Sequence, residues 1–519
     1  MTVSPQHQMD TTPRQLLVVD SPTARGAIVA LLLFVGILII YLVTQAEVVF
    51  STQISLILGY LIGIPILLSN NYHRSILLMF VFASVAGLLK YKTGFNPIIH
   101  VTVDIMMGVI CVGWFIRRFF VPPVQKTSTP LAILIFIFAF ICTIQVFHPN
   151  GYSYFASVGS LKMHIFMIPL YFFGYHYLTS VRQIRQWIWT FAIIGIVMGS
   201  VSIYQFQMGP EAIKEEMPEY AYMIDSNTWQ DETGKSYFRP MSTTSNPGGA
   251  STWMQCLIPL MMAVCFMRTF SVGLRIILGL VLVFLIVTLS ISLIRQMFMV
   301  TCGSVGLMLM LQLFHRRLSQ HMMGLAVIAL LLLGGINIAG QVAGSSSSAI
   351  RGLVSLLSDP FNLYQNNRGS SMYVAYQMAQ IYPLGIGLGR TGPAVAKFGA
   401  EIQAHWDKYG TSAFNPSENY FQVLISETGL PGTITMLILT FAILWRGYKS
   451  YLRIEDNDLQ WFSVASLSVL VSIFVVFFGG PALVTAPLNM FFWFLSGVLF
   501  KLPVLDQELR QQELKETSG

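Results

Sequence analysis

Apolar runs of about 20 residues, long enough to carry a helix across a hydrocarbon core of about 30 Å, recur along this chain from residue 27 to residue 500. In lipid only a helix or a closed barrel satisfies every backbone polar group, and runs of this length select the helix. They fall at 27–45, 53–69, 74–90, 98–116, 129–147, 160–179, 186–206, 250–267, 272–293, 297–314, 322–342, 430–445, 460–479 and 483–500. Composition agrees, with 54% of the 519 residues hydrophobic, 10% charged and a mean hydropathy of +0.65, values outside those of soluble domains. The expected fold class is an all-α integral membrane protein of about fourteen transmembrane helices. Two long extracytoplasmic loops are expected to bear short amphipathic helices.

The net charge is +7, but the positions of the cations say more than their sum, because translocation disfavours Lys and Arg in short external connections. With the N terminus inside, alternate short connections carry Arg74, Arg117 and Arg118, Arg182 and Arg185, Arg268 and Arg275, Arg316 and Arg317, and Arg446, Lys449 and Arg453. The basic excess is thus a topology signal, and it forms no nucleic-acid patch. An even span count puts both termini in the cytoplasm. The apolar stretch after the polar tail 1–26 has no small-residue cleavage pattern and is expected to be retained as the first span. The expected organisation is an N-terminal bundle (27–206), a first extracytoplasmic loop (207–249), central helices (250–342), a large loop with the candidate active-site segment (343–429), C-terminal helices (430–500) and a cytoplasmic tail (501–519).

Long ordered loops in a compact fold are usually functional. The first is acidic until it ends in "KSYFRPMSTTSNPGGAS" at 235–251, and the second contains "NNRGSSMYVAYQMAQIYPLGIGLGRTG" at 366–392. Within the latter, 371–381 is expected as an amphipathic surface helix, and Gly385, Gly387 and Gly389 as a tight turn beyond Pro383. The five cysteines all lie in apolar stretches and read as core hydrophobes. No spacing for a metal or nucleotide site occurs, so neither metal nor cofactor is expected.

The outer side holds few cations close to a span. Arg295, in "LSISLIRQMFMV", has no loop to escape into, and an Arg at the hydrocarbon boundary is costly unless paired, hydrated or snorkelling. Its ordinary role is a snorkelling span-end cation. Arg239 and Arg368 lie in polar loops, where a lone Arg is simply solvated; Lys162 and Arg390 are further candidates. Several guanidinium groups on one face would instead chelate phosphate oxygens in a way Lys cannot imitate. The segment "FNPSENYFQVLISETGLPG" at 414–432 places Glu418, Asn419 and Glu427 before a span. Ser417 is its expected helix cap, with Tyr420, Val423 and Leu424 seating a short helix on the membrane. Glu418 reads either as a proton acceptor or as a first-turn carboxylate complementing the helix dipole, and Glu427 either as a cap before a Gly stop or as a cavity-facing group. His405, beside Trp406, is a possible proton acceptor or a structural loop residue.

Taken in order, several segments resemble the O-antigen ligase and Wzy-type O-antigen polymerase superfamily of bacterial envelope enzymes. They are the stretch from Lys162 to Gly209, "FRPMSTTSNPGGASTWMQCLIPL" at 238–260, "LSISLIRQ" at 289–296, "YPLGIGLG" at 382–389 with Arg368 ahead of it, and 414–432. The likeness covers roughly 160–445, and Glu418 stands where the family has a His before the Asn. The resemblance implies a metal-independent glycosyltransferase in the bacterial inner membrane with its site on the extracytoplasmic side. Its donor would be a polyprenyl-pyrophosphate-linked oligosaccharide and its acceptor a glycan or lipid-linked glycan. Other polysaccharide assembly or export proteins are possible partners, and the lipid bilayer is its setting. On that reading Glu418 takes the acceptor hydroxyl proton, Asn419 positions it, and Arg239, Arg295 and Arg368 stabilise the developing charge of the leaving pyrophosphate. Polymerase and ligase differ only in acceptor and are not separated. The alternative is a multi-span transporter or flippase of lipid-linked or small solutes, which would keep ionisable residues near the bilayer midplane.

Overall fold

The computed structural model describes residues 71–92, 97–120, 128–149, 154–218, 221–230, 236–314, 369–391 and 419–517. Helices dominate: α1 (Tyr72–Lys92), α2 (Pro97–Phe120), α3 (Ala132–Gln145), α4 (Tyr154–Ile165), α5 (Pro169–Tyr177), α6 (Val181–Glu216), α7 (Ala221–Ser226), α8 (Gly249–Phe266), α9 (Val272–Ile291), α10 (Arg295–Phe314), α11 (Ser370–Ile381), α12 (Tyr420–Arg453), α13 (Asn457–Val476) and α14 (Leu488–Thr517). One small ladder, β1 (Thr228–Gln230) with β2 (Ser236–Phe238), is antiparallel, with Trp229 opposite Tyr237. Among the described residues nine helical stretches are long and apolar enough to cross a membrane, with α4 and α5 (Tyr154–Tyr177) counted as one, and Val101–Ile116 and Ala132–Gln145 are shorter apolar helices. The expected spans at 27–45, 53–69 and 322–342 lie outside the described residues.

The helix boundaries add detail to the sequence expectation. The span read at 160–179 is two helices, α4 and α5, joined by a turn at 166–168. Pro169 opens α5 at a position whose amide has no intrahelical partner to lose. Gly209, with φ of +82° and ψ of 169°, breaks α6 close to the expected end of its span at 206, and a second helical stretch starts at Pro210 and runs to Glu216. After residue 500 the chain stays helical, and α14 continues to Thr517.

Helices α8, α13 and α14 form the centre. Their most apolar stretches are 78%, 83% and 83% buried inside the protein, against 39% for α9. Where lipid tails are as apolar as Leu, such helices are held by close packing. Aromatic rings supply much of it: Phe80 of α1 and Trp253 of α8 meet Phe491 of α14 with centroids 5.0 and 5.7 Å away, distances of favourable edge or tilted contacts.

The two ends of the bundle are knit differently. At one end carboxylates cap backbone amides: Asp458 accepts from the amides of Arg268 (2.6 Å) and Thr269 (2.8 Å), and Asp506 accepts from the amide of Asp456 (2.9 Å) and from Arg510 (2.8 Å). This end gathers connections expected to be cytoplasmic. At the other end the connections expected to be external interlock. The Leu88 amide donates to Thr243 O (2.9 Å), and Gln205 both accepts from the amide of Ser242 (2.7 Å) and donates to its carbonyl (3.1 Å). The polar motifs converge at this second end.

Candidate functional site

The site is built around the glycine-rich turn 382–391. Helix α11 stops as the Tyr382 amide bonds to Met378 O (2.8 Å), and three left-handed glycines follow, with φ of +84° at Gly385, +91° at Gly387 and +79° at Gly389. The turn is threaded between α3, α4 and the start of α12. Its Ile386 amide donates to Ser426 O (2.7 Å), its Leu388 amide to Gln145 O (3.3 Å), and its Leu384 and Leu388 carbonyls accept from Gln145 Nε2 (2.7 Å) and Ser157 Oγ (2.9 Å). A Cβ at Gly389 would lie 2.6 Å from the carbonyl carbon of Ala156. Only glycine combines that backbone angle with that approach.

Behind the turn lies Glu427, on the last stretch of α12 before its kink at Gly429 (φ +67°). The residue is 0% exposed. Its Oε1 accepts from the backbone amides of Gly389 (3.0 Å) and Thr391 (3.3 Å). Its Oε2 accepts from Ser160 Oγ (2.5 Å) and faces His164 Nε2 at 2.9 Å. Ser157, Ser160 and His164 share one face of α4, because i, i+3 and i+7 coincide on a helix. His164 Nδ1 is buried with no hydrogen-bond partner among the described residues, so the network assigns the shared proton to Nε2.

A carboxylate offers about four lone-pair sites, and four donors here fill them. Glu427 therefore ties α12, α4 and the turn together. In this arrangement it has no acceptor capacity left for a substrate hydroxyl. Of its two sequence readings, the cap before a glycine stop describes it, extended to a clamp across three segments.

The other candidates are distributed as follows. Glu418, Arg368 and His405 lie outside the described residues, as does Ser417. The N-cap of α12 is Asn419, whose Oδ1 accepts from the Gln422 amide at 2.7 Å. Asn419 is fully buried, and so are Tyr420, Val423 and Leu424. The segment is thus packed inside the protein, which corrects the expectation that it lies on the membrane. Lys162, on α4, pairs with Asp104 of α2 at 2.5 Å.

Arg239, Arg295 and Asn419 are drawn to one end through a chain of neighbours. Pro240 O, beside Arg239, accepts from the Gly248 amide (2.9 Å), and Gly248 packs on the side chain of Ile294, next to Arg295. On the other side of Arg295, Gln296 packs on Gly479; Phe477 O in that same turn accepts from the Tyr420 amide (3.0 Å), beside Asn419. Arg390 sits between the two amides that Glu427 holds.

Sequence reasoning set His148 and His164 aside as span-end histidines without ligand spacing and did not single out Ser160. A signal for Ser160 and His164 was present: with Ser157 they form a polar stripe on α4. For His148 there was none, since it meets the turn only in three dimensions. Its imidazole is held below the usual histidine range, first by burial and then by the nearby charge of Arg390. All five cysteines are free thiols. No family model and no curated protein matches the sequence.

Proposed function

We propose that the protein is a membrane glycosyltransferase that moves a glycan from a polyprenyl-pyrophosphate donor to an acceptor sugar, in the manner of polysaccharide polymerases and ligases. In this proposal fourteen spans leave both termini in the cytoplasm of a bacterium, and transfer occurs at the extracytoplasmic end of the bundle. The observation that carries the reading is the gathering of the Arg239, Arg295, Arg390 and Asn419 segments at one end. A transferase that ejects pyrophosphate without a metal needs cations preorganised where charge develops, and these segments supply them. Glu418, adjacent to the Asn419 cap, is the proposed proton acceptor.

In a membrane assay, Glu418→Gln is expected to abolish glycan joining while the protein still inserts. Arg295→Lys is expected to weaken donor use despite its retained charge, because Lys lacks the planar fork. Wild-type rates in either variant remove that residue from the mechanism.

One observation favours the second reading, a multi-span transporter of lipid-linked or small solutes. Two ionisable pairs, Asp104 with Lys162 and Glu427 with His164, lie within apolar helices, where transporters keep such groups. The saturation of Glu427 weighs against it, since a carboxylate filled by four protein donors is poorly placed to exchange a cargo ion or proton. Solute uptake by the protein in vesicles, without glycan transfer, would establish the transporter instead.

A further inference from the structure

Beyond its kink at Gly429, α12 has one seam against the protein and one face turned away from it. Ile443, Gly447 and Tyr451 form the buried seam. A Cβ at Gly447 would stand 2.4 Å from Leu499 of α14, and the Tyr451 hydroxyl donates to Leu311 O of α10 at 3.1 Å. On the other side Ile434, Ile438, Phe441 and Trp445 are each more than half exposed. They recur every three or four residues and so make one apolar stripe. Arg446, Lys449 and Arg453 follow it, all exposed, within an arc of about 60° at 3.6 residues per turn. Lys449 stands about 29 Å along the axis from Leu430, at 1.5 Å per residue, close to the thickness of a hydrocarbon core. The stripe therefore lies against acyl chains, and the three cations lie at the level of lipid phosphates.

The fold leaves these cations over. The carboxylates that follow α12 are engaged elsewhere: Glu455 pairs with Arg510 at 2.7 Å, Asp456 caps α13 through the amides of Asp458 and Leu459, and Asp458 accepts from the amides of Arg268 and Thr269. None of Arg446, Lys449 and Arg453 has a carboxylate partner among the described residues. Lys449 instead lies over the ring of Trp445, 4.9 Å from its centroid. A cation–π contact of this kind holds the ammonium in place. Arg446 and Arg453 are about 10 Å apart along the axis, so a phosphate beside Lys449 sits between two guanidinium groups.

We infer that Trp445, Arg446, Lys449 and Arg453 form a binding site for the headgroup of an anionic phospholipid, at the end of the bundle away from the glycine-rich turn. The acyl chain of that lipid lies along Phe441, Ile438 and Ile434. The arginines fork onto phosphate oxygens, Lys449 adds a point charge, and the Trp445 ring settles at the boundary between chain and headgroup. Charge complementarity selects the lipid: an anionic headgroup supplies the negative charge that the fold withholds, and a zwitterionic one brings a competing ammonium of its own. The site does not rest on the transferase reading.

The test uses the purified full-length protein in nanodiscs of neutral phosphatidylcholine with increasing phosphatidylglycerol, and retained lipid is counted by native mass spectrometry. Each basic side chain beside an anionic lipid is worth roughly fivefold in affinity, so the Lys449→Gln, Arg453→Gln double variant is expected to bind phosphatidylglycerol about twentyfold more weakly than wild type. Trp445→Leu keeps every charge and is expected to weaken binding about threefold by releasing Lys449. The Arg182→Gln, Arg185→Gln double variant removes two exposed cations from the start of α6, at the same end of the bundle, and is expected to bind as wild type. Wild-type affinity in the Lys449→Gln, Arg453→Gln variant overturns the assignment. Equal losses in the two double variants overturn it too, by making the effect one of general surface charge. So does displacement of the lipid by an equal concentration of glycerol 3-phosphate, which would make the cations a site for a free anion. Loss of basic residues can disturb insertion; where the charge variant fails to insert, wild-type affinity of Trp445→Leu overturns the assignment.

Discussion

Replacing Glu427 with Ala removes the acceptor for four donors at a position with 0% exposure. The Ser160 hydroxyl can turn toward a helix carbonyl, and His164 can shift its proton to Nδ1. The Gly389 and Thr391 amides have no such freedom, because the turn is fixed at Ile386, Leu388 and Leu384 by its other bonds. Each stranded buried amide costs about 1–3 kcal/mol, so the two together destabilise the closed turn by about 4 kcal/mol. At about 1.4 kcal/mol per tenfold, that is on the order of a thousandfold increase in the population of the opened turn. Hydrogen exchange of the peptide covering 383–391 reads this population directly, since amides exchange through local opening. Glu427→Gln keeps one oxygen for the two amides and presents an NH2 to Ser160 and His164, which accept from it once His164 shifts its proton. Its expected cost is about 1–2 kcal/mol, or roughly tenfold faster exchange. Wild-type exchange rates in the Ala variant would refute the clamp, and so would a Gln variant that exchanges as fast as Ala.

Three further outcomes follow from the geometry. Gly389→Ala is expected to disrupt the turn severely, because its Cβ meets the Ala156 backbone at 2.6 Å on a φ of +79°; Gly209→Ala, at φ +82° and ψ 169° with open space around it, is expected to cost about 1–3 kcal/mol through backbone strain alone. Thermal unfolding in detergent separates the two. Asp104→Asn is expected to destabilise the bundle by leaving Lys162 without its carboxylate, and the Asp104→Asn, Lys162→Met double variant is expected to recover part of the loss. With Lys162→Met alone completing the double-mutant cycle, additive effects of the two single variants contradict a coupled pair. Asn419→Ala is expected to cost about 1 kcal/mol through loss of the α12 cap, and Asn419→Asp to retain most of the stability; a neutral Ala variant would show that the cap bond contributes nothing.

The spans were legible because span length and apolar composition act locally, and each expected run from 74–90 onward that falls on described residues coincides with a helix. Helix α11 and the turn after Pro383 were legible for the same reason, as amphipathic spacing and a glycine series are written in consecutive residues. The break at Gly209 falls close to the expected span end at 206, but the helix that restarts at Pro210 was not expected. The Glu427 clamp was only half legible. A carboxylate before a glycine stop suggested a cap, but its donors come from α4 and the turn, and pairing over more than two hundred residues leaves no local trace. Burial of 420–424 was hidden likewise, since an apolar face reads the same whether protein or lipid covers it. The Lys162–Asp104 pair was hidden too, since its two members lie on different helices.

The central claim is that the polar end of the bundle transfers a glycan off a lipid diphosphate. The direct measurement is the reaction of purified protein in nanodiscs with a polyprenyl-diphosphate-linked oligosaccharide and an acceptor glycan, without added metal, followed by mass spectrometry of both products. The account predicts a lengthened glycan and one equivalent of free polyprenyl diphosphate per linkage, with both lost together in Glu418→Gln. A donor left intact while the same protein moves it across a vesicle membrane would contradict the account and establish the transporter.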